Sequence, residues 1–126
     1  MSGTNYLTAS SSALQLVRGA SKTLELTVLD EAGDAFDLSG CTLWFTVKKA
    51  AADQQPVVQK KSDDVAEIQI VDAREGRADI YLLPADTFSL PAREYVFDVW
   101  VVSGADRYIV VGPAALELQD SVTRIH

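Results

Sequence analysis

Residues 94–102 read Glu94-Tyr95-Val96-Phe97-Asp98-Val99-Trp100-Val101-Val102, followed by Arg107-Tyr108-Ile109-Val110-Val111. Both segments are rich in β-branched and aromatic residues, and Ser103-Gly104-Ala105-Asp106 between them is turn sequence, so they read as two strands. Upstream, Leu24, Leu26 and Val28 alternate with Thr23, Glu25 and Thr27. That period of two predicts a strand over Thr23–Leu29 with one wet face. Turn signals at Asp30-Glu31-Ala32-Gly33-Asp34 and Asp37-Leu38-Ser39-Gly40 precede a strand over Cys41–Lys48. Residues 50–64 read as a loop with a short strand at Val57–Lys60, and Ala66–Val71 and Arg77–Leu83 as two more strands. Ala115–Leu118 continues the last strand after a break at Gly112-Pro113, and Pro84–Leu90 holds one helical turn. About seven short strands with regular turn signals predict an all-β, immunoglobulin-like antiparallel β-sandwich with Greek-key connections. Residues 1–12, rich in Ser and Thr, read as an extended N-terminal arm, and 13–126 as the sandwich domain.

The chain has 126 residues, the size of one domain, and about two-thirds of its surface can be buried on folding. With 48% hydrophobic and 23% charged residues, neither a disordered tail nor a membrane protein fits. No apolar run is long enough to cross a bilayer. The start, MSGTNYLTASSS, lacks the basic and apolar regions of an export signal, which predicts a chain made and kept, or assembled, in a cytoplasm. The net charge of −7 is the wrong sign for phosphate binding, and the basic pairs Lys48-Lys49 and Lys60-Lys61 are short, so no nucleic-acid partner is expected. A single cysteine, Cys41, excludes an internal disulfide and a multi-cysteine zinc site.

Catalysis needs a nucleophile, base or metal cluster gathered at one spot. The one histidine, His126, is the last residue of the sequence, and Cys41 alternates with Leu43, Phe45 and Val47 as a small core hydrophobe would. There is no glycine-rich phosphate loop and no paired-histidine spacing. Asp30-Glu31-Gly33-Asp34 and Asp63-Asp64-Glu67 are acidic but do not follow the EF-hand spacing, so they read as solvated turns. The expectation is no enzyme, no cofactor and no metal.

The faces of the strands carry more information. If Leu43, Phe45 and Val47 point to the core, Trp44 and Thr46 point outward. If Tyr95, Phe97, Val99 and Val101 point to the core, Val96, Asp98, Trp100 and Val102 point outward, and the following strand, Tyr108-Ile109-Val110-Val111, is apolar on both sides. In an immunoglobulin arrangement these strands share a sheet. Its outer face then holds both tryptophans, the kind of apolar patch that marks an interface. Trp44, Thr46, Val96, Asp98, Trp100, Val102, Ile109 and Val111 are therefore the candidate interface. Two other arrangements stay open: one strand inverted so that a tryptophan fills the core, or the loop 50–64 folded over the patch. Tyr95, at a strand start after Leu90-Pro91-Ala92-Arg93, is either an ordinary core tyrosine or a tyrosine corner whose hydroxyl bonds to upstream backbone.

Leu16-Val17-Arg18-Gly19-Ala20-Ser21-Lys22-Thr23-Leu24 and Phe36-Asp37-Leu38-Ser39-Gly40-Cys41-Thr42-Leu43-Trp44-Phe45-Thr46-Val47-Lys48 resemble the small immunoglobulin-like proteins and domains of tailed phages and prophages, including the N-terminal domain of phage baseplate upper proteins. The likeness continues through Ile70–Ala78, Leu83–Thr87 and Leu90–Val99 and spans roughly residues 14–123. It departs at Arg93, where relatives often have glycine, and at Arg18-Gly19-Ala20, where Arg-Gly-Asp is common. The resemblance implies a virion structural component of tail, baseplate or connector, partnered by other virion proteins as a homo- or hetero-oligomer, with no catalytic residues to carry over. A carbohydrate or host-surface binding module, with the tryptophans stacking sugars, and a capsid decoration protein are the alternatives.

Overall fold

The structure is a computed structural model, and it describes residues 14–30 and 32–122. The expected arm over residues 1–12 and His126 lie outside the described residues. Among the described residues, eight strands form two sheets: β1 (Leu14–Val17), β2 (Lys22–Thr27), β3 (Thr42–Lys48), β4 (Val58–Lys61), β5 (Ile68–Asp72), β6 (Arg77–Leu82), β7 (Arg93–Ser103) and β8 (Asp106–Gln119). A short helix, α1 (Pro84–Thr87), lies between β6 and β7. The five-stranded sheet has the order β1-β8-β7-β3-β4 and the three-stranded sheet β2-β6-β5. The pairing is antiparallel except for β1, which runs parallel to β8.

The core lies between the sheets because each sheet turns one apolar row inward. Leu43, Phe45 and Val47 from β3, and Tyr95, Phe97, Val99 and Val101 from β7, meet Leu26, Ile68, Ala78, Ile80 and Leu82 from the smaller sheet. Phe45 and Phe97 sit with ring centroids 5.8 Å apart. All of these are nearly dry, which makes packing the main source of stability in a chain without a disulfide.

Four interactions close the end of the sandwich at α1. Tyr95, its ring buried, donates its hydroxyl to the Pro91 carbonyl at 2.7 Å, so the residue is both core and corner. Lys60, on the inward row of β4 opposite Phe45, is buried and reaches Asp86 of α1 at 2.8 Å. The same Asp86 oxygen accepts the Leu83 N–H at 2.7 Å, tying the helix start to the edge of the larger sheet. From the β1–β2 turn, the Gly19 N–H reaches the buried hydroxyl oxygen of Thr87 at 2.9 Å.

The strands expected from alternation are present with bounds shifted by a few residues. β1 is an addition, and β8 runs unbroken through the cis Gly112–Pro113 peptide. Pairing within β8 is not uniform. Trp100 faces Ile109, Val99 faces Val111 and Phe97 faces Ala114, so one extra residue is accommodated at Val110 and another at Gly112-Pro113. The two slips cancel, and Leu116 and Leu118 return to the core in the phase that Tyr108 began. Gly112 makes the second slip feasible. Its φ is +90°, and a Cβ there would lie 2.6 Å from the Phe97 carbonyl oxygen and 2.9 Å from the Ala114 nitrogen.

Candidate functional site

The outer face of the five-stranded sheet is set by the β3–β7 register. Trp44 lies directly opposite Trp100, Thr46 opposite Asp98, Thr42 opposite Val102 and Lys48 opposite Val96. The buried partners on the other face fix this orientation, since sliding either strand by one residue would expel Phe45 and Phe97 from the core. Both tryptophans are therefore outward and half-buried, which excludes an inverted strand. On β4, Lys61 pairs with Trp44, and its ammonium lies 4.2 Å from the indole centroid while also meeting Asp63 at 3.3 Å.

The face is concave. A cleft of about 620 Å³ has Trp44, Thr46, Val96, Asp98, Trp100 and Val102 as its floor. Lys48, Gln59, Arg107 and Pro113 stand around it, and Ala51, Gln54 and Pro56 of the β3–β4 loop form one wall. The loop flanks the tryptophans rather than sealing them off. It is anchored by the Val57 N–H to the Val47 carbonyl at 2.8 Å and turned by Asp53 N–H to the Ala50 carbonyl at 3.0 Å. Within the cleft, Gln59 donates its amide to the Thr46 hydroxyl at 3.2 Å.

Six of the expected interface residues, Trp44, Thr46, Val96, Asp98, Trp100 and Val102, come together in this cleft. Ile109 also faces outward, beside Trp100, with 39% of its surface exposed, but stands outside the cleft. Val111 is a correction. It is 7% exposed and belongs to the core, because the extra residue at Val110 reverses the alternation between Ile109 and Val111. Sequence reasoning missed the cleft's cations, and held the loop 50–64 only as an alternative cover for the patch, where the structure makes it a wall. Arg107 opposite Val102 follows from the hairpin register, whereas Ala51, Gln54 and Pro56 belong to a segment without periodicity.

The remaining reactive groups are drawn into local structure. Cys41 is half-buried against the core, with its Sγ 3.8 Å from the Ser39 carbonyl. Asp30 accepts the N–H groups of Ala32 and Asp34, Asp64 accepts that of Ala66, and Glu67 accepts that of Lys61. These are turn-forming bonds, and no group of three or more potential metal ligands gathers among the described residues. Hydrogen bonding from Ser39 holds the Asp37 carboxyl below its ordinary range. No helix among the described residues is long and apolar enough to cross a membrane. No family model matches the chain, and no curated protein matches it.

Proposed function

We propose that the protein is a non-enzymatic structural subunit of a tailed phage or prophage particle, of immunoglobulin type, that assembles in the host cytoplasm through the outer face of its five-stranded sheet. The tail, baseplate or connector is its place and other virion proteins are its partners. The observation that carries this reading is the tryptophan pair. Trp44 and Trp100 stand side by side on a face that antiparallel sheets ordinarily leave polar, with Val96, Val102 and Ile109 around them. Support for the immunoglobulin type comes from the partition of strands. β2, β6 and β5 match the order of strands B, E and D, and β3, β7 and β8 that of C, F and G. The tyrosine corner fits the same arrangement. The sequence resemblance supplies the virion setting.

Mass spectrometry of purified particles from the host that carries the gene is expected to find the chain. Trp100→Glu, which puts a charge in the middle of the face without touching the core, is expected to leave a folded monomer that no longer enters particles. A variant that unfolds, or that is incorporated as well as the parent, overturns the reading.

A further inference from the structure

The cleft combines apolar surface with several polar groups that no described residue pairs with. Among the described residues, the Asp98 carboxylate has no hydrogen-bond or ion-pair partner, and the same holds for the Lys48 ammonium, the Arg107 guanidinium and both indole N–H groups. A carboxylate accepts only, and cations and indoles donate only. The cleft therefore offers an acceptor beside Trp100 on β7 and donors on either side of it, none of them joined to another.

This pattern is poorly suited to a purely apolar protein surface. Interface centres are depleted of charge, and covering Asp98 with apolar groups would strip it of solvent without returning a donor. A polyol differs, since each hydroxyl donates one bond and accepts others, and the C–H faces of a sugar ring are flat and apolar. The volume, about 620 Å³, lies within the range of small-ligand sites and suits roughly two to three sugar rings. The charge of −7 works against polyanionic glycans at long range, and a sugar carboxylate on the floor would meet Asp98.

We infer that this cleft binds a neutral saccharide, with vicinal hydroxyls donating to Asp98, other hydroxyls accepting from Arg107 and Lys48, and a ring face laid against Trp44 and Trp100. The inference goes beyond the assembly reading and stands or falls independently of it, since it names a sugar as what the cleft floor receives. Ile109, outside the cleft, stays available to a neighbouring virion protein.

The full chain is titrated with maltotriose, cellotriose and chitotriose, and with trigalacturonate as the charged counterpart, by calorimetry and tryptophan fluorescence. At least one neutral trisaccharide is expected to saturate the protein. Trp100→Ala and Asp98→Ala are each expected to weaken it by about tenfold or more while unfolding at the parent temperature, and Ile109→Ser to bind like the parent. Saturation by none of the neutral sugars, by trigalacturonate alone, or with affinity unchanged in Trp100→Ala overturns the inference. If the sugars fail while Trp100→Glu still blocks incorporation, the assembly reading stands alone. If a neutral sugar binds as described while Trp100→Glu is incorporated normally, the saccharide site stands and the assembly reading falls.

Discussion

The Tyr95 hydroxyl spans four residues to the Pro91 carbonyl, binding the start of β7 to the connection that precedes it. Tyr95→Phe keeps the buried ring and deletes this bond, so it is expected to cost about 1–2 kcal/mol in urea unfolding. Burial raises the Tyr95 phenol above its ordinary 10.0, opposed by the Arg93 charge. The fold thus favours the neutral phenol. Its contribution is complete below pH 10 and is lost as pH rises through the higher folded-state value. Tyr108, also raised, first by burial and then by Asp106, acts in the same direction. Stability measured from pH 8 upward is expected to fall above pH 10, less steeply in Tyr95→Phe than in the parent.

Lys60 and Asp86 do not contribute symmetrically. Asp86→Ala leaves a buried ammonium unpaired and frees the Leu83 N–H, and is expected to cost about 3–5 kcal/mol. Lys60→Met keeps an apolar stem in place, and the less buried Asp86 retains its bond from Leu83. A loss of about 1–2 kcal/mol is expected there. Equal losses from the two variants, read from denaturant midpoints, would contradict this asymmetry.

Ile109 and Val111 are two residues apart in sequence and lie on opposite faces. Val111→Asp buries a carboxylate among apolar side chains and is expected to abolish folding. Ile109→Asp is expected to change stability by no more than about 0.5 kcal/mol. Circular dichroism melts of the pair give a direct reading of the slip at Val110.

At Gly112, alanine meets both a left-handed backbone angle and the Phe97 carbonyl oxygen. Gly112→Ala is expected to destabilise the protein by at least about 2 kcal/mol, seen as a lower thermal midpoint. Loss of amide-exchange protection concentrated in residues 97–99 and 111–114 would locate the damage at the second slip.

The strands β2, β3, β6 and β7 were legible because polar residues mark their phase: Thr23 and Glu25, Thr42 and Thr46, Asp79, and Asp98. Ile109-Val110-Val111 carries no such mark, and an apolar run accepts an inserted residue without a sign in the sequence. Only pairing with β7 reveals that Val111 turns inward. β1 was missed for a related reason, since four residues with only Leu14 and Leu16 turned toward the core become a strand only by lying against β8. The tryptophan face was readable from alternation, but its concavity comes from the β3–β4 loop, where Ala51, Gln54 and Pro56 obey no period.

In β7, odd-numbered positions 95 to 101 build the interior and even-numbered positions 96 to 102 form the exterior floor. Scaffold and address are thus interleaved in one segment but chemically independent. A descendant of this chain can acquire a new target by rewriting the even positions alone, keeping intact the odd ones that let it fold.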